Sequence, residues 1–303
     1  MSSRSSIFLN RPFGSLMLSM RLGLGALGVI VAGSALLPGA ATAATLPSLK
    51  VCADANDLPF SNARQQGFEN TLAKMVGADL HRDIEFVWLS EEAPYAQKKL
   101  GPQACDLTMA TAGPSKLTLP TVPYYRSTYV FVTRRDRHIK ITTLDDERLE
   151  AYRIGAQIIG DDDEASPPAE QLARLGLAKN IVGYSVFGYP LGRNTSEEMV
   201  SAVARGDLDM AVVWGPAAGY FARTSPVPLE ITPITALTAA LPVTFDISVG
   251  VRRGDETLRQ RLNELIVRRQ KEISALIESY GVPLLKASDT AGQQLASEKL
   301  QAP

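Results

Sequence analysis

Short apolar runs alternate with helix-period segments twice along this chain, and a strand and a long helix follow the second set. That alternation restricts the fold more than any other feature, because it is the signature of parallel sheets covered by helices. In the first set, Leu49 to Ala53 reads as a strand, Phe68 to Leu80 as a helix, Ile84 to Trp88 as a strand, Tyr95 to Leu100 as a short helix and Cys105 to Ala110 as a strand. Tyr129 to Thr133, rich in aromatic and β-branched residues, adds a further strand and ends in the charged stretch Arg134 to Lys140. The second set opens with a strand, Arg153 to Ile159, that leads into Gly160-Asp161-Asp162-Asp163. A helix around Ala169 to Leu175, the segment Ile181 to Phe187, a helix from Ser196 to Ala204 and the buried strand Met210 to Trp214 come next. Thr195 and Glu198 form a capping box for the Ser196 helix, and Gly206 stands just past its end. Leu229 to Ile234, a strand from Phe245 to Arg252 and the amphipathic helix Glu256 to Tyr280 complete the pattern.

A βαβ unit, an inserted α/β unit and a return to strand and helix predict two lobes joined by two crossings of the chain. The crossings are expected near Thr133 to Asp136 and Pro233 to Ala236, so that residues 44–133 and 236–303 make a discontinuous lobe 1 and residues 134–235 make lobe 2. Each lobe is an open α/β sheet, and such sheets bind ligands outside the carboxyl ends of their strands. Two of these edges facing each other form a cleft that closes by hinge motion around a small ligand.

The first 43 residues stand outside this fold. Arg4, Arg11 and Arg21 supply positive charge without any acidic residue, Leu22 to Leu37 is apolar and small, and Ala41-Thr42-Ala43 has the small-x-small form of a cleavage site. The apolar stretch is 16 residues long, short of the roughly 20 that span a bilayer. A secretory signal cleaved after Ala43 is the expectation, with a periplasmic mature chain and no membrane association after cleavage. No Cys follows the cleavage site, which closes the lipoprotein route. Removing 43 of the 303 residues leaves 260, and losing three Arg takes the net charge from -1 to -4.

Export bears on the two cysteines, because thiols in an oxidising compartment tend to pair. Cys52 lies in one apolar run and Cys105 opens another, so a bridge would join two neighbouring strands; two buried thiols and a redox pair are the alternatives. Neither Cys sits in a C-x-x-C motif.

The charge balance, with no basic run of five or more, gives no footprint for nucleic acid. Two His and two Cys are too few and too scattered for a zinc or iron-sulfur site. His81 and His138 read as surface residues. No nucleophile elbow, zincin, phosphate-loop or dinucleotide fingerprint is present. The run Asp161-Asp162-Asp163-Glu164 lacks the alternating spacing of a calcium loop and reads as solvated, although Asp161, at a strand end, is a ligand-contact candidate. Arg205-Gly206-Asp207 and Arg253-Gly254-Asp255 repeat an adhesion tripeptide, but in each the glycine serves a cap or a turn.

Aromatics at strand ends carry more information, since they stack on ligands or line apolar pockets. Phe60, Trp88, Tyr124, Tyr125 and Trp214 hold such places. Packing between sheet and helix is expected for Trp88 and for one of the two tyrosines. The candidate cleft residues are Asp54, Phe60, Thr111, Tyr124, Asp161, Trp214 and Gly215, with no catalytic residue, no metal ligand and no cofactor expected.

Several segments resemble the family 3 periplasmic solute-binding proteins: Val51-Cys52-Ala53-Asp54 with Leu58-Pro59-Phe60-Ser61-Asn62, Gly67-Phe68-Glu69-Asn70, Cys105-Asp106-Leu107, Pro123-Tyr124-Tyr125, Gly206-Asp207-Leu208-Asp209 and Tyr280-Gly281-Val282-Pro283. Longer stretches, Tyr124 to Phe131, Ile154 to Asp162, Pro167-Pro168-Ala169 and Ala211 to Phe221, are similar to the quinoprotein-dehydrogenase-associated MoxJ/XoxJ-like branch, encoded with methanol dehydrogenases. The resemblance implies a type II periplasmic-binding-protein fold. It also implies an accessory factor that binds a PQQ-dependent methanol or alcohol dehydrogenase and acts by binding and hinge closure. A solute receptor feeding an ABC permease is the alternative, and an enzyme on the same lobes, such as a cyclohexadienyl dehydratase, a third. Amino-acid-binding members carry an Arg before the Pro-Tyr-Tyr segment, where this chain offers only Lys116 between Gly113 and Pro120. They also place an Asp where this chain has Trp214-Gly215-Pro216. A cleft without those charges suits an apolar or weakly polar ligand or a protein surface better than a zwitterion.

Overall fold

A computed structural model describes residues 46–89, 105–115, 118–159, 164–185, 193–235 and 242–285. The signal segment, the helix expected over Tyr95 to Leu100, Lys116 and Asp161 lie outside these residues.

The first lobe is built on β1 (Leu49–Asp54), whose side chains alternate between buried and more exposed positions as the period of a strand requires. It pairs in parallel with β4 (Ile84–Leu89) on one side and β5 (Leu107–Thr111) on the other. Between β1 and β4 the chain makes the small hairpin of β2 (Asn56–Asp57) and β3 (Ser61–Asn62), then helix α1 (Phe68–Leu80). The longest strand, β6, runs without a break from Thr118 to Arg134.

The second lobe holds β7 (Ile154–Ile159), β8 (Glu164–Ala165), helix α2 (Pro167–Arg174), β9 (Ile181–Ser185), helix α3 (Thr195–Arg205), β10 (Met210–Trp214), helix α4 (Gly215–Thr224) and β11 (Leu229–Pro233). The chain returns through β12 (Thr244–Arg252) and ends its described part with helix α5 (Glu256–Ser279) and the segment to Leu285. Helix α4 is absent from the sequence expectation. It starts at a glycine and a proline, residues that read as punctuation in sequence but that suit a first helical turn.

Strand β6 links the lobes. Its residues from Thr118 to Thr128 pair with β12, and those from Tyr129 to Thr133 pair with β10, while β11 takes the other edge from Val130 to Arg134. The first crossing therefore falls at Thr128 and Tyr129, upstream of the expected Thr133 to Asp136. The charged stretch ends the strand, but the change of partner happens inside it. At the described ends of the return path, beside the first crossing, Ile234 donates to the Tyr129 carbonyl at 3.1 Å and Tyr129 donates to the Val243 carbonyl at 2.8 Å. The strands run in the order β4-β1-β5-β12-β6-β10-β7, two lobes sharing β6, as the resemblance implies.

Why Met210–Trp214 reads as an unbroken apolar run is plain from its surroundings. Ala211 and Val213 enter one core with Val130, Val132 and the apolar face of α3; Met210 and Val212 enter another with Phe131, Ile154 and Leu172. A strand covered on both faces needs no polar alternation. Lobe 1 has a core of its own, formed by α1, α5 and strands β1, β5, β6 and β12.

Cys52 and Cys105 are bridged, with Cα atoms 5.6 Å apart, and tie β1 to the start of β5. The two adhesion-like tripeptides are local structure. Gly206, at φ 84°, caps α3, and Gly254, at φ 95°, turns β12 into α5, whose Asp255 side chain accepts from the Leu258 amide. His81 and His138 are exposed, each at the left-handed end of a helical turn.

Candidate functional site

Among the described residues, two groups of contacts flank the middle of the seam along which the two lobes meet. On one side, the hairpin of β2 and β3 reaches from lobe 1 onto lobe 2. Leu58 packs on the core of α3 and β10, the Asn194 side-chain amide donates to the Leu58 carbonyl at 2.9 Å, and Phe60 touches the cores of both lobes. The turn of this hairpin rides on the start of α1 so closely that a Cβ on Gly67 would lie 1.9 Å from the Phe60 carbonyl oxygen. On the other side, the segment after α5 packs along α4. Gly219 leaves room for the Gly281 carbonyl, Tyr220 stacks on Tyr280 at 6.1 Å, and Arg223 donates to the Ser279 carbonyl at 2.7 Å.

Trp214, the last residue of β10, sits in the middle of the seam. Its ring meets Tyr129 at 5.2 Å and Phe245 at 5.8 Å, both edge-on, and its indole favours the ionised form of the Tyr125 phenol. Phe60, Phe68, Tyr125 and Tyr280 continue the aromatic wall through edge-to-face contacts. Such contacts gain about 0.5 to 1.5 kcal/mol each beyond burial.

Of the expected cleft residues, Phe60, Trp214 and Asp54 lie at or beside this seam. Phe60 and Trp214 are at its centre. Asp54 is exposed at the end of β1, where its carboxylate accepts from the Asn56 amide at 2.7 Å and shapes the hairpin entry. Thr111 ends β5, half-buried, with its hydroxyl donated to the Gly113 carbonyl.

Two do not serve as expected. Tyr124 is fully buried in the lobe 1 core and donates its hydroxyl to the Met109 carbonyl at 2.8 Å. The core behind β6 takes that ring together with Tyr125, where the pairing with β12 shifts register. Gly215 is buried against β6, where a Cβ would meet the Thr128 carbonyl at 2.6 Å and Pro283 at 3.1 Å, so its role is close packing of α4. Asp161 lies outside the described residues.

Two residues that the sequence reading passed over stand here instead. Asp57, in the hairpin, acts electrostatically on Glu69, in the first turn of α1. Burial and its neighbour Asp54 push the Asp57 carboxyl up to about 7; burial and Asp57 push the Glu69 carboxyl up to about 8. Tyr125 is likewise held well above its ordinary range, by burial and then by Glu69. One signal was available for Glu69. It occupies the stripe Phe68, Leu72, Ala73, Val76 and Leu80 that the helical period turns to the core. Asp57 had none, because its environment depends on a hairpin only two residues long on each side.

No family model matches the chain. It is 30% identical over 255 residues to the protein MoxJ of Methylorubrum extorquens, covering 80% of this chain and 83% of that one. Among solved structures it is similar to the periplasmic binding protein XoxJ of Methylobacterium extorquens, with a TM-score of 0.63, 33% identity, and 78% and 99% of the two chains covered. The crystal structure of MxaJ from Methlophaga aminisulfidivorans is similar too, with a TM-score of 0.68, 27% identity, and 78% and 100% covered.

Proposed function

The chain belongs to the MoxJ/XoxJ-like periplasmic binding proteins, and from that premise we propose that it is a periplasmic accessory factor of a PQQ-dependent methanol or alcohol dehydrogenase. It is exported through a cleaved signal and binds the dehydrogenase during activation or maturation. Its working step is binding with hinge motion about the change of partner at Thr128 and Tyr129, and it performs no chemistry of its own.

The observation that carries this reading is the aromatic lining of the seam. Where the resemblance implies an Asp in amino-acid-binding members, this chain places the Trp214 indole, packed on Tyr129 and Phe245. A seam lined by aromatic rings in this way suits a protein that presents its surface to a partner. A solute receptor for an ABC permease would instead keep room for an amino-acid-like solute.

The experiment is a titration of the mature protein with the purified dehydrogenase from the same periplasm, by light scattering or interferometry. Saturable binding at micromolar or tighter affinity, weakened at least about tenfold by Trp214→Ala, is the expected result. No binding, together with a metabolite retained by the protein purified alone, would restore the transport reading.

A further inference from the structure

We propose that the hairpin of β2 and β3 is a built-in latch, which bridges the cleft between the sheet edges and fastens the two lobes by contacts of the chain's own. The hairpin leaves the carboxyl end of β1. The start of α3 lies at the carboxyl end of β9, where the Thr195 hydroxyl donates to the Ser185 carbonyl at 2.6 Å. Ligands of open α/β lobes sit outside strand ends of this kind. Here the hairpin tip, Leu58-Pro59-Phe60, spans from one to the other.

Toward lobe 1 the latch is rigid. The Phe68 and Glu69 amides at the start of α1 donate to the Pro59 and Phe60 carbonyls at 2.9 and 3.0 Å. The Asn70 side-chain oxygen accepts from the Asn62 and Gly67 amides, at 3.1 Å each, and the Ser61 hydroxyl donates to the Asp54 carbonyl at 2.8 Å. Asn70 and Ser61 are both buried, so the tip moves only when lobe 1 moves. Toward lobe 2 the Leu58 carbonyl accepts a neutral hydrogen bond from the Asn194 side chain at 2.9 Å, and Leu58 and Phe60 rest, partly buried, on the core of α3 and β10. Bonds of that kind contribute modestly, so this contact can release without unfolding either lobe.

The other side of the seam is built to stay together. A Cβ on Gly219 of α4 would lie 2.0 Å from the Gly281 carbonyl oxygen, so backbone meets backbone there. The same segment is tied to β6 just before its change of partner: the Ser127 hydroxyl donates to the Pro283 carbonyl at 2.9 Å and the Leu285 amide to the Arg126 carbonyl at 3.0 Å. Opening that keeps this side in place must part the hairpin tip from α3. Latched and released forms are then two states of one chain, and a substitution in the latch shifts the population toward release.

The inference does not rest on the accessory reading, because both halves of the latch lie within this chain. The test places spin labels at Lys74→Cys on α1 and Lys179→Cys in lobe 2, both exposed positions, and reads their separation in the dialysed mature protein by pulsed electron resonance. Three further substitutions are compared with this parent. Asn194→Asp loses the donor to Leu58, Leu58→Ala loses packing on α3, and Arg223→Ala loses the bond to the Ser279 carbonyl on the other side. The expected result is one separation in the parent and a shift of more than about 2 Å, or a second population, in the two latch variants but not in Arg223→Ala. Either latch variant carries the test if the other fails to fold. Two populations in the parent, an unchanged separation in folded latch variants, or an equal shift in Arg223→Ala overturns the proposal.

Discussion

At the scale of single residues, the seam acids make a prediction independent of any ligand. Both carboxyls hold their protons more firmly folded than unfolded, so between their ordinary values and about 7 and 8 the folded state carries more protons. Their contribution to stability is greatest below that interval and is lost as pH rises through it. Glu69→Gln removes the ionisable group and keeps its shape. Urea unfolding should find the variant more stable than the parent by about 1 to 3 kcal/mol at pH 8.5, and not at pH 5. Tyr124 makes the opposite case, of a residue that looks functional in sequence and is structural. Tyr124→Phe leaves the Met109 carbonyl bare and should cost about 1 to 2 kcal/mol in the same measurement while leaving dehydrogenase capture unchanged. The sequence places an aromatic pair after Pro123, but that both rings are buried, Tyr124 completely, depends on the core that α1 and α5 build behind β6.

At the scale of elements, helix α3 shows how local signals and tertiary contacts divide the work. Its C-terminal stop was legible: Gly206 adopts the left-handed conformation in which a residue with a side chain is strained. Its start was displaced by one residue. Thr195, expected as the cap, donates its hydroxyl to the Ser185 carbonyl at 2.6 Å, and Asn194 caps the helix by accepting from the Glu197 amide at 3.1 Å. Asn is as good a cap as Thr, so only the neighbouring β9 decides between them. Because Asn194 also holds the Leu58 carbonyl, its two functions are separable. Asn194→Ala should lose about 1 to 2 kcal/mol in thermal or urea unfolding. Asn194→Asp retains the cap acceptor and loses the donor to Leu58, so it should lose less stability while exchanging the amide protons of the Asp57 to Asn62 hairpin faster.

At the scale of the whole molecule, the bridge between Cys52 and Cys105 closes a loop with a sequence separation of 53. In the chain-entropy account such a closure is worth about 4 kcal/mol. The double variant Cys52→Ala/Cys105→Ala should unfold at a lower urea midpoint by a corresponding amount, with the lobe 2 amides the last to lose exchange protection. By itself the sequence determined most of the strands and helices, the two-lobe arrangement and the family. Those follow from apolar periods, turn residues and long motifs, which act within a few neighbours along the chain. Only the tertiary structure decided where β6 changes partner, that Gly215 opens a helix pressed on β6, and that Glu69 is buried within reach of the Asp57 charge. These depend on which surfaces meet, and burial sets the energy of a polar group through everything packed around it, most of which lies far away in sequence.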